Sequence, residues 1–235
     1  MTAVKARLAQ GTPCWVSLMT GDPEGAQEFY RALLGWEFEP GPTPFGGYVR
    51  ATLGGARVAG LGVTPPGSGH GVEWTTYFAV DQADDVAQRI RECGGTVAVG
   101  PVQAERAGRV AIAADVTGAV FGLWQGEEHT GWELVGVPGA PARVELLTPD
   151  REGAGYFYDA VFGAGPERTF RGGEELRDGP PRWRVHFGVT DPDLTADLAE
   201  RLGGRVLVSP HDTGHGRVAR LADPQGARFS VITVS

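Results

Sequence analysis

Lysine occurs once in these 235 residues, at Lys5, and cysteine only twice, at Cys14 and Cys93. One cysteine falls in a predicted first strand and the other just before a Gly-Gly turn. Both suit small buried residues of a reducing compartment, and a disulfide framework is not expected. Positive charge is also scarce, with 21 Lys and Arg against 29 Asp and Glu and a formal net charge of −8. Such a chain repels a phosphate backbone or an anionic lipid surface on average, so neither nucleic acid nor membrane is an expected partner. No apolar run approaches the roughly 20 residues that span a bilayer, and no apolar stretch follows the basic start MTAVKARLAQ. The glycines do not lead into the Lys-Ser/Thr of a phosphate loop, and no Gly-x-Ser-x-Gly elbow is present. Nucleotide binding and nucleophilic catalysis therefore lack support. The expectation is a cytoplasmic protein.

Against these absences stands an internal repeat. Trp15-Val-Ser-Leu-Met-Thr-Gly-Asp22 aligns with Arg143-Val-Glu-Leu-Leu-Thr-Pro-Asp150 at an offset of 128 residues, and Phe29-Tyr30 aligns with Phe157-Tyr158 at the same offset. Further on, Trp74-Thr-Thr-Tyr-Phe-Ala-Val80 matches Trp183-Arg-Val-His-Phe-Gly-Val189, and Gly94-Gly95 matches Gly203-Gly204, now at 109. The second copy has lost 19 residues between Gly163 and Trp183, where only a polar loop such as GGEELRDGPP replaces the strand-like stretch from Tyr48 to Val63.

Asp22 and Asp150 suit helix N-caps, and Phe29, Tyr30, Leu33 and Leu34 fall on one face of a helix over 23–34 that Gly35 stops. Asp115-Val-Thr-Gly118 and Asp223-Pro-Gln-Gly226 read as tight turns into final strands. Each half then reads βαβββ twice, an α+β fold of four modules in two domains, 1–137 with an N-terminal extension and a linker strand, and 138–235 shortened. Each domain is long enough to bury its own core.

The Asp-started helix ending FYRALLGW, the strand WTTYFAV, the Gly-Gly turn and the closing DPQGARFSV resemble the glyoxalase/bleomycin-resistance, or vicinal-oxygen-chelate, superfamily in its two-domain form. The resemblance spans nearly the whole chain. It implies cup-shaped mixed sheets with a ligand inside, and in the family's enzymes a divalent metal held by His, Gln or Glu. The matching positions here are Trp15, Thr75 and Gly122 in the first half and Arg143, Arg184 and Ser230 in the second. Tryptophan and glycine offer a metal no lone pair, and two arginines repel a cation. No metal and no cofactor is expected.

Period two places Trp15, Ser17, Met19, Thr75, Tyr77 and Trp124 on the inner face of the first cup, with Tyr48 in the strand-like stretch beside them. These are candidate ligand contacts for a small aromatic or hydrophobic organic molecule, and the alternative is that the rings only fill the core. The second cup presents Arg143, Glu145, Arg184 and His186. His186 and Glu145 are candidates for an acid/base pair with Arg184 holding an anionic group, or else members of a structural ion-pair network.

The run Pro210-His-Asp-Thr-Gly-His215 superficially resembles a metal cluster but reads as a solvated loop, and His70 and His129 read as surface residues. Three functions stay open. One is a metal-free protein that sequesters an aromatic natural product, for self-resistance or as a biosynthetic accessory. Another is an enzyme of the lyase, isomerase or oxygenase kind, either a metal-independent acid/base catalyst using His186 and Glu145 or a lyase- or dioxygenase-type metalloenzyme, and the third is a structural dimerisation module. The chain is expected as a monomer or homodimer.

Overall fold

The structure is a computed structural model, which describes residues 2–3, 8–42, 47–64, 71–163, 174–175 and 179–235. The first copy runs from β1 (Thr2–Ala3) through β2 (Pro13–Thr20), α1 (Pro23–Leu34), β3 (Glu37–Pro40), β4 (Val49–Leu53) and β5 (Ala56–Val63). It continues with β6 (Glu73–Ala79), α2 (Ala83–Glu92), β7 (Thr96–Ala104), β8 (Gly108–Ala114), β9 (Val120–Gly126) and the short β10 (Leu134–Val135), which pairs with β1. The second copy comprises β11 (Pro141–Thr148), α3 (Arg151–Phe162), β12 (Glu174–Glu175), β13 (Arg182–Val189), α4 (Pro192–Arg201), β14 (Arg205–Thr213), β15 (Gly216–Ala222) and β16 (Arg228–Thr233).

The helices start where side chains can satisfy their free N–H groups. The Asp22 carboxylate accepts from Gly25 N and the Asp150 carboxylate from Gly153 N, both at 2.9 Å. Gly35 closes α1 in the left-handed region at φ 74°, a conformation that costs a residue without a Cβ little. On α1, Phe29, Tyr30, Leu33 and Leu34 all face the interior, as their spacing predicts.

In the first copy the strands run β3-β4-β5-β2-β6-β9-β8-β7, with β2 antiparallel to β6 and each parallel to the last strand of its own module. The second copy repeats this as β12-β11-β13-β16-β15-β14. A backbone bridge from Arg182 at the start of β13 to Val120 at the start of β9 joins the strands of both copies into one 14-stranded sheet. The polar loop of the second copy holds more structure than its composition suggests, because Glu174–Glu175 pairs in parallel with Leu147 and Thr148, where β5 pairs with β2 in the first copy.

One expectation is overturned: the copies do not bury separate cores. One apolar cluster joins Val16, Leu18, Phe29, Tyr30 and Trp36 to Phe187, Phe229 and Val231. The other joins Phe78, Val86, Ile90 and Phe121 to Phe157, Tyr158, Phe162 and Trp183. The helices explain this, since α1 packs beside α4 and α2 beside α3, so each core forms between copies. The repeated tyrosine seals both. Tyr30 OH donates to Asp223 Oδ2 (3.2 Å) and accepts from Trp74 Nε1 (3.1 Å), while Tyr158 OH donates to Asp115 Oδ2 (3.0 Å) and accepts from Trp183 Nε1 (2.9 Å). Each aspartate comes from the opposite copy. Its other oxygen receives backbone N–H groups of its own turn, from Gln225 and Ala227 or from Thr117 and Ala119.

A second correction concerns Pro210–His215, which is no loop. Residues to Thr213 belong to β14, in a hairpin with β15, and Asp212 pairs with Arg217 at 3.1 Å. His211 lies on β14 and His215 in the turn that follows it, and among the described residues no group of His, Cys, Asp and Glu is placed to hold a metal. His70 lies outside the described residues.

Candidate functional site: two cups of opposite character

Four adjacent strands set the floor of each cup. In the first, Trp15 stands opposite Tyr77, Tyr77 beside Gly122, and Ile112 opposite Gly122. Ser17 faces Thr75 one step further along. The corresponding row of the second cup is Arg143, His186, Ser230 and Arg220. In-register neighbours share a face, so one row is apolar and ring-rich while its duplicate is polar and cationic.

The first cup brings its predicted residues together. Trp15 Nε1 donates to Tyr48 OH at 2.9 Å, and Ser17 Oγ shares a hydrogen bond with the same hydroxyl at 2.7 Å. Tyr48 lies across β5, where Gly60 and Gly62 leave room for its ring, and Met19 closes over Gly62. Trp15, Ser17, Tyr77 and Trp124 are buried, whereas Met19, Tyr48 and Thr75 are half-buried and form the rim. Burial raises the Tyr48 hydroxyl above its usual range, although its bonds to Ser17 and Trp15 pull the other way, so it is a neutral phenol at neutral pH.

His129 is the residue that sequence reasoning missed. Far from the surface, it is 7% exposed, with Trp15 edge-on at 4.5 Å between centroids and Trp124 at 5.7 Å. Trp124 Nε1 fixes the turn by donating to the His129 carbonyl at 2.7 Å, while the ring's Nε2 is buried with no hydrogen-bond partner. Burial, with Arg50 and Arg57 nearby, lowers its pKa to about 3. A depressed histidine favours folding only while neutral. Its contribution is complete above the ordinary value near 6.5 and is lost as pH falls toward 3. At about 1.4 kcal/mol per pH unit, His129 should account for about 2 kcal/mol of the stability lost between about pH 6.5 and about pH 4.5. Denaturant unfolding at both pH values is expected to show a smaller difference for His129→Phe than for the parent.

The second cup is organised around Glu145. Its carboxylate lies 3.5 Å from Arg143 Nη2, 3.5 Å from Arg184 Nη1 and 3.4 Å from His186 Nε2. Burial raises the Glu145 carboxyl, but contact with His186 and the two guanidiniums outweighs that and holds it below the usual range. Burial lowers the His186 pKa more than Glu145 raises it, so the imidazole is neutral at neutral pH. The His186 Nε2–Glu145 contact is long and poorly aligned, and Nδ1 is buried with no hydrogen-bond partner. Arg184 and His186 thus share a cup with Glu145 and do not join the aromatic residues of the first.

A metal of the kind the family's enzymes use does not fit either cup. A Cβ on Gly122 would overlap the Tyr77 ring, so the position where a last-strand carboxylate would stand is filled. Trp15 and Thr75 supply no strong donor beside it. In the second cup, the carboxylate and imidazole sit against Arg143 and Arg184, whose charge opposes a cation.

Tandem βαβββ modules in two copies define a class, and comparison with known proteins places the chain within it. Residues 13–123 match the model for the glyoxalase/bleomycin resistance protein/dioxygenase superfamily, and residues 128–232 match that for a glyoxalase-like domain. A putative glyoxylase, CFP32, of Mycobacterium tuberculosis is 39% identical, with 97% of each chain covered. The anthracycline biosynthesis protein DnrV of Streptomyces peucetius is 36% identical over 96% of this chain and 94% of its own. Among solved structures, the 2,3-dioxygenase LapB of Pseudomonas sp. KL28 superposes with a TM-score of 0.66 at 14% identity, covering 97% of this chain and 93% of that one. The chain belongs to the glyoxalase/bleomycin resistance protein/dioxygenase superfamily.

Proposed function

We propose that this chain is a metal-free binding protein that takes a planar, largely aromatic natural product into its first cup. The observation that carries this reading is the floor itself, where Trp15 stands at a position matching a metal ligand of the family, Tyr77 and Trp124 line the same face, and Tyr77 occupies the space over Gly122. Flat rings with single polar handles suit stacking of a conjugated ligand, and the Tyr48 hydroxyl and His129 Nε2 are polar groups able to orient one. The names of the anthracycline biosynthesis relatives agree with an aromatic ligand. Sequestration would serve either self-resistance or removal of a product beside a biosynthetic enzyme.

Tryptophan fluorescence titrated with a panel of planar aromatic compounds tests the reading. Saturable quenching by at least one compound is expected, and Trp124→Ala should weaken it about tenfold, equivalent to about 1.4 kcal/mol. Absence of quenching across the panel, or a stoichiometric divalent ion in the purified protein, would overturn it.

A second reading, a metal-independent acid/base catalyst, is favoured by the neutral His186 ring lying 3.4 Å from the Glu145 carboxylate. It requires that His186→Ala abolish turnover of a bound compound, and full turnover in that variant would remove it.

A further inference from the structure

The wall of the first cup carries an arginine that the aromatic floor does not explain. Register fixes its place, since Glu39 on β3, Arg50 on β4, Gly60 on β5, Ser17 on β2 and Thr75 on β6 form one in-register row. Gly60 belongs to the inner face, because a Cβ there would meet the Tyr48 ring, and Arg50 stands directly opposite it. The Arg50 side chain is only 17% exposed, and its charge acts on both the Tyr48 hydroxyl and the His129 ring. The guanidinium therefore lies beside the polar groups of this cup.

A guanidinium drawn out of water normally has its N–H groups bonded. Among the described residues Arg50 forms one ion pair, from Nη1 to Glu39 Oε1 at 3.9 Å, which is too long for a hydrogen bond. Glu39 is taken by Arg57, whose Nε donates to the same oxygen at 2.8 Å. Glu133 is likewise engaged, by the Arg57 backbone N–H at 2.8 Å and by Nη1 at 3.4 Å. Two carboxylates thus balance two arginines, and the wall offers a ligand no net charge. What it offers is a fork of donors from a group that has no acceptor of its own. None of the Arg50 nitrogens is sealed from solvent, so a ligand can reach them. Adjacent strands are about 4.8 Å apart, which sets Arg50 about 10 Å across the sheet from Ser17, a span that two or three fused rings on the floor can bridge.

We propose that Arg50 selects the ligand of the first cup by donating to a carbonyl oxygen conjugated with its rings. Such an oxygen lies in the ring plane and presents its lone pairs edge-on to the wall, while the faces of the rings rest on Trp15 and Tyr77. Because the wall is charge-balanced, a neutral carbonyl satisfies Arg50 and a carboxylate gains nothing further. The assignment rests on the aromatic reading of this cup and narrows it to planar aromatic ketones and quinones.

Equilibrium dialysis of the full chain against fluorenone, fluorene and fluorene-9-carboxylate separates the two. The ketone is expected to bind about tenfold more tightly than the hydrocarbon, and the carboxylate no more tightly than the ketone. Arg50→Met, checked for folding by thermal unfolding, should bind the ketone about tenfold more weakly than the parent, and Arg50→Lys should regain part of that loss. Trp124→Ala should instead weaken ketone and hydrocarbon by a similar factor. Fluorene held as tightly as fluorenone, a carboxylate held more tightly than the ketone, or a folded Arg50→Met variant that keeps the preference would overturn the role of Arg50 and leave the aromatic reading standing. Binding of none of the three would count against the aromatic reading, and the role of Arg50 would fall with it. If Arg50→Met fails to fold, the comparison of the three compounds on the parent protein decides.

Discussion

Asp223→Ala is expected to destabilise the protein by about 4 kcal/mol, and Asp115→Ala by a similar amount. Each buried carboxylate accepts two backbone N–H groups and one tyrosine hydroxyl, Asp115 the Thr117 hydroxyl as well, and the alanine strands these donors. A buried donor left without a partner costs about 1–3 kcal/mol, and partial access of water to the turn amides keeps the sum near the low end. That loss is a large fraction of the roughly 5–15 kcal/mol that holds a domain together. Because each tyrosine borrows its aspartate from the other copy, and both apolar cores mix the copies, the damage cannot stay local. Equilibrium urea unfolding should show one transition for the parent and for both variants, shifted to lower denaturant by the same amount. A variant in which one half melts first would contradict the shared-core account. Tyr30→Phe should cost less, about 1–2 kcal/mol, since it removes the hydroxyl but leaves Asp223 with its two turn amides.

Local features were the most legible in the sequence. Asp22 and Asp150 announced helix starts, Gly35 a stop, and the Asp-x-x-Gly turns their hairpins, because these signals act within a few residues of chain. The repeated Phe-Tyr pair was visible as well, but its task was not. That Tyr30 meets Asp223 across 193 residues depends on how helices of different copies pack, which periodicity does not encode.

The inner faces of both cups followed from alternation, since a ladder fixes which residues share a surface once register is right. His129 could not be found that way. It lies after β9, outside any alternating strand, and only the tertiary fold wedges it between Trp15 and Trp124. The run Pro210–His215 misled for a related reason: glycine suggested a loop, whereas the strand continues to Thr213 and the glycine serves the hairpin. The burial of Ser230 and the four-residue row across the second cup likewise needed the pairing of β13 with β16 and β16 with β15.

Gly122→Glu, which puts a carboxylate at the last-strand position of the first cup, is expected to cost about 4 kcal/mol rather than create a metal site. The first bond of any side chain there runs into the ring of Tyr77, itself buried beside Trp15. Overpacking a filled core costs about 1–3 kcal/mol, and the carboxylate would also enter an aromatic floor without a counter-charge. Tyr77→Ala alone should cost about 3 kcal/mol through its cavity. In the double variant the two changes relieve one another, as the carboxylate takes the space vacated by the ring, so their sum should exceed the measured loss by about 2 kcal/mol. Urea unfolding of the four proteins reads this coupling directly. Strict additivity would mean that Tyr77 does not fill the Gly122 position. Even the double variant should hold no stoichiometric divalent ion, because Trp15 and Thr75 still provide no ligand set around the new carboxylate. A metal centre here would therefore require removing the ring as well as supplying the donors.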